Sequence, residues 1–289
     1  MQRTSFFLII TLLSCAFPLT GLAQEKESNF PQRIVSLGPI NTENIYLLGA
    51  EDRLVGNTSY CVRPQAAQDK QKIGSVMQIS IEKILSLRPD LVLATGLTQP
   101  QQLNKLRDLG LRVVQFQQPS SFAEICAQFR RIGEILGLEE RAEQVVREAE
   151  NQVDAVAAAV ADLPSRKVFL QIGSRPLFGA APDSFTHDFI ALSGAINVIG
   201  EQQHGTASYE KVLVKNPDVI IIAMMGSESG IAQEEKKKWQ GFPLTAVQND
   251  QVHVVSPDLA CSPSPATFAE TLSIMAALIH PELRSRLKK

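Results

Sequence analysis

The sequence is poor in aromatic residues and has almost no net charge. Aromatic side chains make up 6% of its 289 residues, with a single tryptophan, so a binding site built from a cage of indole rings is not expected. The 28 lysines and arginines nearly balance the 30 aspartates and glutamates, which leaves a net charge of −2. Without an excess of basic residues the chain lacks the electrostatic field that attracts nucleic acid, and this class of partner is excluded.

Motifs of metal sites and of catalysis are also missing from the sequence. There is no C-x-x-C pair, and the four histidines lack the spacing of a zinc site, so neither a metal site nor a resident cofactor is predicted. No G-x-G-x-x-G, Walker loop, H-E-x-x-H or G-x-S-x-G motif occurs. The segment from Gly226 to Gly230 is similar to the last of these, but Glu228 stands at the position of the nucleophile. The sequence therefore does not indicate an enzyme.

Residues 1–23 are typical of a signal peptide. One arginine precedes an apolar run, and small residues lead up to Gln24, which favours cleavage after Ala23. The segment that ends in Cys15 resembles a lipoprotein box. Apolar residues continue from there to Ala23, however, where a lipid-anchored chain usually has a polar tether, so the lipoprotein is the less favoured alternative. We therefore expect an exported, periplasmic protein.

A long helix is predicted near the middle of the chain, over residues 138–163. Apolar residues recur there every three or four positions, with charged residues on the opposite face, and no glycine or proline interrupts the pattern. Such a helix is long enough to span a small domain. We interpret it as a rigid strut that joins two lobes. An ordinary surface helix of a single domain is the alternative.

One sequence unit occurs on both sides of this helix. The run that begins S-I-E-K-I-L at Ser80 and continues to P-D-L-V-L reappears from Ser208, 128 positions later. Identical residues in register indicate an internal duplication. Strands also alternate with helices on both sides, which is typical of parallel βα units. We predict an α/β fold with an N-terminal lobe over 31–137, a C-terminal lobe over 165–289 and a cleft between them.

The first lobe carries an additional loop after its second strand, and loops at strand ends are where α/β sheets bind ligands. In this loop Tyr60 is predicted to stack on a flat ligand, and Arg63 to pair with a ligand carboxylate or phosphate. A loop anchor and an exposed arginine are the alternatives. Arg175 and Phe178, in a predicted loop over 173–182, are ligand-binding candidates by the same reasoning.

Two cysteines fall on predicted cleft loops, Cys61 in the first lobe and Cys261 in the second. Both are candidate ligand contacts. A disulfide between them would join the lobes, while a soft metal site and two free thiols are the alternatives, because the bond requires Cα atoms within about 7 Å of each other. Cys126 shares a predicted helix face with apolar residues and is expected to be a buried core thiol.

The run RIVSLGPINTENIYLLGA, the repeated S-x-E-K-x-L…P-D unit and the long central helix resemble the periplasmic binding proteins for cobalamin, ferric siderophores and haem. These are the solute receptors of ATP-driven (ABC) importers, and the resemblance runs from about Pro31 to the last helix. It implies two Rossmann-like lobes, a connecting helix and little hinge motion. It also implies that Glu82 and Glu210 dock on arginines of an ABC permease dimer in the inner membrane. The alternative is that each glutamate only favours its helix dipole.

Within this family the resemblance is closest to the cobalamin receptors, through Asn41-Thr-Glu and Thr58-Ser-Tyr. Those receptors place aromatic rings against the corrin, whereas this chain offers only Tyr60 and has Val76 where a tryptophan is expected. The ligand stays open among a corrinoid, a ferric siderophore and haem. We expect a monomeric solute receptor that delivers such a metal chelate to an ABC importer. The alternative is an exported enzyme of chelatase type that acts on a tetrapyrrole.

Overall fold

The computed structural model describes residues 30–202, 204–224 and 230–283, so the predicted signal peptide lies outside the described residues. Two separate sheets are formed, one before and one after a single long helix. We call the part before this helix the N-terminal lobe and the part after it the C-terminal lobe. Within the described ranges, no helix is long and apolar enough to cross a membrane.

The N-terminal lobe contains a parallel four-stranded sheet in the order β2-β1-β3-β4. Successive strand residues alternate between two buried faces, one covered by the first and fourth helices and the other by the second and third. Gly38 brings the turn after the first strand so close to the sheet that a Cβ atom there would clash with Thr95. The strands are β1 (Ile34–Ser36), β2 (Leu54–Asn57), β3 (Leu91–Thr95) and β4 (Val113–Phe116); the helices are α1 (Pro39–Leu47), α2 (Ile81–Ser86), α3 (Pro100–Asp108) and α4 (Phe122–Leu136).

The long helix α5 (Glu139–Val160) lies within the predicted span of 138–163. Gly137, in the left-handed conformation with φ of 69°, ends α4 and lets the chain reverse into α5. The buried face of α5 belongs to two cores. Val145 and Val146 pack in the core of the N-terminal lobe, and Ala149 and Val153 in that of the C-terminal lobe. The lobe boundaries at 31–137 and 165–289 stay a prediction.

The C-terminal lobe repeats the plan with a sheet in the order β6-β5-β8-β9, and β7 pairs with the start of β5. The strands are β5 (Lys167–Ser174), β6 (Leu177–Gly179), β7 (Ile196–Asn197), β8 (Val219–Ile222) and β9 (Val252–Val254). The helices are α6 (Phe185–Ala191), α7 (Tyr209–Lys215), α8 (Ile231–Gln240), α9 (Thr245–Gln248), α10 (Pro257–Ala260) and α11 (Pro265–Ile279).

The prediction of a loop over 173–182 is wrong in one respect, because part of this segment is β6, which pairs antiparallel with β5 in a hairpin. A strand of three residues is too short to show a sequence period. The sequence did not reveal the single-turn helix α10 either, because four residues are too few to show a helical period.

The duplicated sequence unit performs the same structural task in both lobes. Ser80 and Ser208 cap α2 and α7, each accepting a hydrogen bond at 3.3 Å from the backbone N–H three residues on. Asp90 and Asp218 follow these helices and begin the next strand. The Asp90 carboxylate accepts from the N–H groups of Gln32 at 2.7 Å and Arg33 at 3.0 Å, and Asp218 accepts from Lys167 at 2.8 Å. Each aspartate thereby fastens two neighbouring parallel strands at their beginnings.

We expect Asp90→Ala to lower the free energy of unfolding by about 1–2 kcal/mol, because two backbone donors lose a charged acceptor and gain only water. Asp218→Ala, which removes one such bond, should cost less. Asp108→Ala, at an exposed position on α3, is the control and should stay within about 0.5 kcal/mol of the wild type. Urea unfolding measures all three. Equal stability of the Asp90 and Asp108 variants would contradict this account of the duplicated unit.

Candidate functional site

The candidate site lies where the parallel strands of both sheets end. The segments that follow β1, β2, β3 and β4 meet the end of β5 and the segments that follow β6 and β9 across a cleft. Three adjoining cavities of about 40, 120 and 410 Å³ occupy this cleft. Ser262 of the C-terminal lobe lines the two smaller cavities, and Gln118 of the N-terminal lobe lines the smallest and the largest. Both lobes therefore contribute to one continuous site.

Apolar side chains project from the N-terminal lobe at this edge. Tyr60 lines the 120 Å³ cavity together with Val62 and leaves 60% of its surface exposed. Leu97, after β3, lines the smallest cavity and is 54% exposed. Val76 is buried, but its neighbour Met77 is 58% exposed. Tyr60 thus lies at the cleft, and its contact with a ligand stays a prediction. Leu97 was missed, because a single exposed residue in a loop gives no sequence pattern.

Neutral amides line the smallest cavity. Gln117 and Gln118 follow β4, Asn41 lies in the first turn of α1, and Gln128 comes from α4. Two of them are held in place, since Asn41 donates to the carbonyl of Ala94 at 3.1 Å and Gln128 to that of Gln117 at 3.0 Å. Amides both donate and accept hydrogen bonds without adding charge. Sequence reasoning missed this wall because glutamine is common on exposed helices and strand ends.

Arg63 lies in the cleft as predicted, but its charge is already paired. Its Nη2 atom is 2.8 Å from a carboxylate oxygen of Glu43 and donates to the carbonyl of Ser262 at 3.2 Å. The other terminal nitrogen, Nη1, is buried and makes no hydrogen bond to the described residues. Arg63 thus uses Nη2 for the ion pair and for the contact between the lobes, while Nη1 makes no hydrogen bond to the described residues.

The Glu43 carboxylate was not singled out from the sequence, yet it joins the lobes. Glu43 is on α1 and only 7% exposed. Its Oε1 atom accepts from the hydroxyls of Ser264 at 2.6 Å and Thr267 at 3.1 Å, at the start of α11. We call Glu43, Arg63, Ser264 and Thr267 the interlobe network. Ser264 is 221 positions from Glu43, so no local pattern connects them.

Of the three possibilities left open for Cys61 and Cys261, the structure has two thiols and no disulfide. Cys61, Cys126 and Cys261 are all thiols in the structure. Cys61 is completely buried within the N-terminal lobe, with the hydroxyls of Thr42 and Thr58 each 3.2 Å from its sulfur. Cys261 belongs to the C-terminal lobe and lines the 410 Å³ cavity between the lobes. Cys61 and Cys261 therefore lie in different lobes. The prediction that Cys61 contacts the ligand is wrong, because its side chain is completely buried. Cys126 is a buried core thiol as predicted, and burial raises its pKa to about 12.

Arg175 and Phe178 lie on the β5–β6 hairpin rather than on the cavity walls. Arg175 is exposed at the turn. Phe178 packs beside Gly205, where an added Cβ would come within 3.0 Å of the ring. Neither side chain lines the three cavities, although the hairpin starts from the same sheet edge. Their role in ligand binding stays a prediction.

Glu82 and Glu210 occupy equivalent exposed positions in the first turns of α2 and α7. Each helix leads into a parallel strand of its own sheet, so its first turn lies toward the edge where the strands end. The pKa of Glu210 is lowered by its own backbone N–H and by the Ser208 hydroxyl, which both hydrogen-bond the carboxylate. Glu210 therefore carries its charge at neutral pH.

Two α/β lobes that meet across a cleft, with side chains of both on its walls, define a solute-binding protein of the two-lobed class. The chain belongs to the periplasmic binding protein family, whose model matches residues 34–259. It is accordingly an extracytoplasmic substrate-binding protein of transport and not an enzyme, and its relatives give no support to the chelatase alternative.

Relatives show how far the similarity extends. An uncharacterized ABC transporter substrate-binding lipoprotein of Bacillus subtilis, YvrC, is 29% identical over 87% of this chain and 81% of its own. The periplasmic vitamin B12 binding protein BtuF of Vibrio cholerae has a TM-score of 0.72 at 28% identity, over 86% of this chain and 96% of that one. A periplasmic heme binding protein from Pseudomonas aeruginosa has a TM-score of 0.76 at 26% identity, over 87% of this chain and 94% of that one.

The thiols give a direct prediction for the chain lacking residues 1–23. At pH 8 in the folded protein we expect Ellman's reagent to react readily only with Cys261. Cys61 and Cys126 are buried, and Cys126 stays protonated below its pKa of about 12, whereas the thiolate is the reactive form. In denaturant all three thiols should react. A single reactive thiol in denaturant would instead establish a disulfide.

Proposed function

We propose that this substrate-binding protein carries a corrinoid of the cobalamin type to an ABC importer, and that its cleft disfavours haem and anionic ferric siderophores. The observation that carries the proposal is the charge of the cleft. Among the described residues lining the three cavities, Arg63 is the only cation, and Glu43 neutralises it. The other charged residues there are Asp183 and Asp258.

The ligand classes differ most in charge. Haem carries two propionate carboxylates, and ferric catecholate siderophores are strongly anionic, so a site for either is expected to offer unpaired cations. Cobalamin carries carboxamide groups around its ring. The wall of Asn41, Gln117, Gln118 and Gln128 suits such amides. The exposed side chains of Tyr60 and Leu97 suit the flat apolar face of a macrocycle.

Thermal-shift measurements with cyanocobalamin, dicyanocobinamide, haemin and a ferric catecholate chelate test this assignment. We expect the two corrinoids to stabilise the protein, by about 2.7 kcal/mol at a hundredfold excess over Kd, and the two anionic chelates to have little effect. Stabilisation by haemin or the ferric chelate alone would overturn the corrinoid assignment. It would leave the family and the receptor role unchanged.

Variants refine the same measurement. Tyr60→Ala should weaken corrinoid binding up to about tenfold, because ring stacking contributes roughly 0.5–1.5 kcal/mol. Val214→Ala, at a position 85% exposed on α7, is the matched control and should leave binding unchanged. Arg175 lines none of the three cavities, so the corrinoid proposal, unlike the ligand-binding role predicted from the sequence, expects Arg175→Ala to leave binding unchanged as well. A loss of affinity in that variant would point to an anionic ligand paired with Arg175.

For export, the proposal keeps cleavage after Ala23 over lipid attachment at Cys15. The apolar stretch after Cys15 supports it. The lipoprotein name of the Bacillus subtilis relative supports the alternative.

Glu82 and Glu210 are proposed to dock on arginines of the permease dimer, one from each lobe. Their equivalent places on α2 and α7, their exposure and the ionised state of Glu210 support this role. Charges outside the cleft steer and orient a partner without contributing to ligand affinity. The duplicated unit thus presents one acid per lobe to a partner built from two subunits.

The double variant Glu82→Ala/Glu210→Ala should bind ligand with unchanged affinity and support much less uptake when reconstituted with its permease. The matched control is Glu139→Ala/Glu140→Ala, which removes two exposed acids from the first turn of α5. Uptake by the control should equal the wild type. Weakened ligand binding in the first double variant, or equal loss of uptake in both, would contradict docking through these residues.

A further inference from the structure

We propose that Glu43 is a positioning residue that fixes the width of the cleft, by clamping the start of α11 and the Arg63 loop onto α1. The proposal does not depend on which ligand the cleft holds. It rests on the interlobe network, in which one buried carboxylate receives three contacts, two of them from the other lobe.

The hydrogen bonds of this network converge on the two oxygens of the Glu43 carboxylate. Ser264 and Thr267 form a capping box, in which the Ser264 hydroxyl accepts from the N–H of Thr267 at 3.2 Å and the Thr267 hydroxyl from that of Ser264 at 2.7 Å. Each hydroxyl has one proton left to donate, and both protons can point to the same oxygen of Glu43. The other oxygen receives Arg63. Each donor that reaches Glu43 then has an acceptor, which is the condition under which a buried carboxylate is tolerated.

The start of α11 is attached to the N-terminal lobe at two separate points. Thr267 contacts Glu43 on α1, while the next residue, Phe268, stacks on Phe122 of α4 with ring centroids 4.6 Å apart. Phe268 also stacks on Phe189 of α6, with centroids 4.4 Å apart. One attachment alone would let the C-terminal lobe rotate about it in any direction, and two attachments to different helices restrict that rotation.

The network also stands at the wall of the cleft. Arg63 reaches the carbonyl of Ser262, and Arg63 and Ser262 both line the 120 Å³ cavity. A change in the distance between α1 and α11 therefore changes the separation of the two walls directly. Without Glu43, the aromatic stack and α5 would keep the lobes together, and the cleft would vary in width.

Distance measurements between spin labels test this role without any ligand. Labels are attached to Lys105→Cys on α3 and Lys237→Cys on α8, both exposed positions, in a Cys261→Ser background where the remaining cysteines are buried. The wild-type network should give one narrow distance distribution. Glu43→Ala should shift and broaden it, and Glu43→Gln, which keeps an acceptor for the hydroxyls but loses the ion pair, should have an intermediate effect.

Two comparisons separate this role from a loss of stability. Asp90→Ala, which weakens the fold away from the lobe contact, should keep the narrow distribution. Ser264→Ala removes a partner of Glu43 from the other lobe and should broaden it; this variant decides the matter if Glu43→Ala does not fold. An unchanged distribution in folded Glu43→Ala, or in Ser264→Ala when it alone folds, would overturn the proposal, as would equal broadening in Asp90→Ala.

Discussion

The apolar face of α5 belongs to two cores at once, and the remainder of the architecture depends on this. Its first turns complete the core of the N-terminal lobe through Ala142, Val145 and Val146, and its later turns complete the C-terminal core through Ala149 and Val153. Sharp kinks in a helix arise at proline, at glycine and serine pairs or at bulges, and α5 contains no proline, glycine or serine. The lobes are therefore held close to one arrangement before any ligand arrives. A preformed cleft lowers the ordering cost of binding, which is how a receptor gains affinity without closing.

Apolar packing and the interlobe network contribute differently to this arrangement. Aromatic pairs such as Phe122 with Phe268 add roughly 0.5–1.5 kcal/mol each beyond the area they bury. A buried ion pair adds little net stability, but removal of one partner costs about 3–5 kcal/mol because a charge stays buried. The aromatic stack thus holds the lobes together. The Glu43 carboxylate destabilises any relative placement of the lobes in which its partners are lost. Cohesion and alignment come from different groups.

The sequence predicted well those features that depend only on residues close to one another in the chain. The stripe of α5, the caps at Ser80 and Ser208 and the buried strands all follow from local periods, and the repeat revealed two lobes. Tyr60 was found because it lies in a loop that one copy has and the other lacks. The predictions that failed depend on which side chains lie close together in the folded protein. The pairing of Arg63 with Glu43, the separate environments of Cys61 and Cys261, and the hairpin that carries Arg175 and Phe178 require the fold to be known.

The pairing of Arg63 changes what the cleft can select. Read from the sequence, Arg63 is a cation available to a ligand carboxylate; in the structure Glu43 has taken that role. Release of Arg63 to an anionic ligand would leave Glu43 without its ion pair and would break the hydrogen bond from Arg63 to Ser262 of the other lobe. Alignment of the lobes and neutrality of the cleft are therefore linked through Arg63. This link is the physical reason for proposing a ligand recognised by shape and by amide hydrogen bonds over one that requires a free cation.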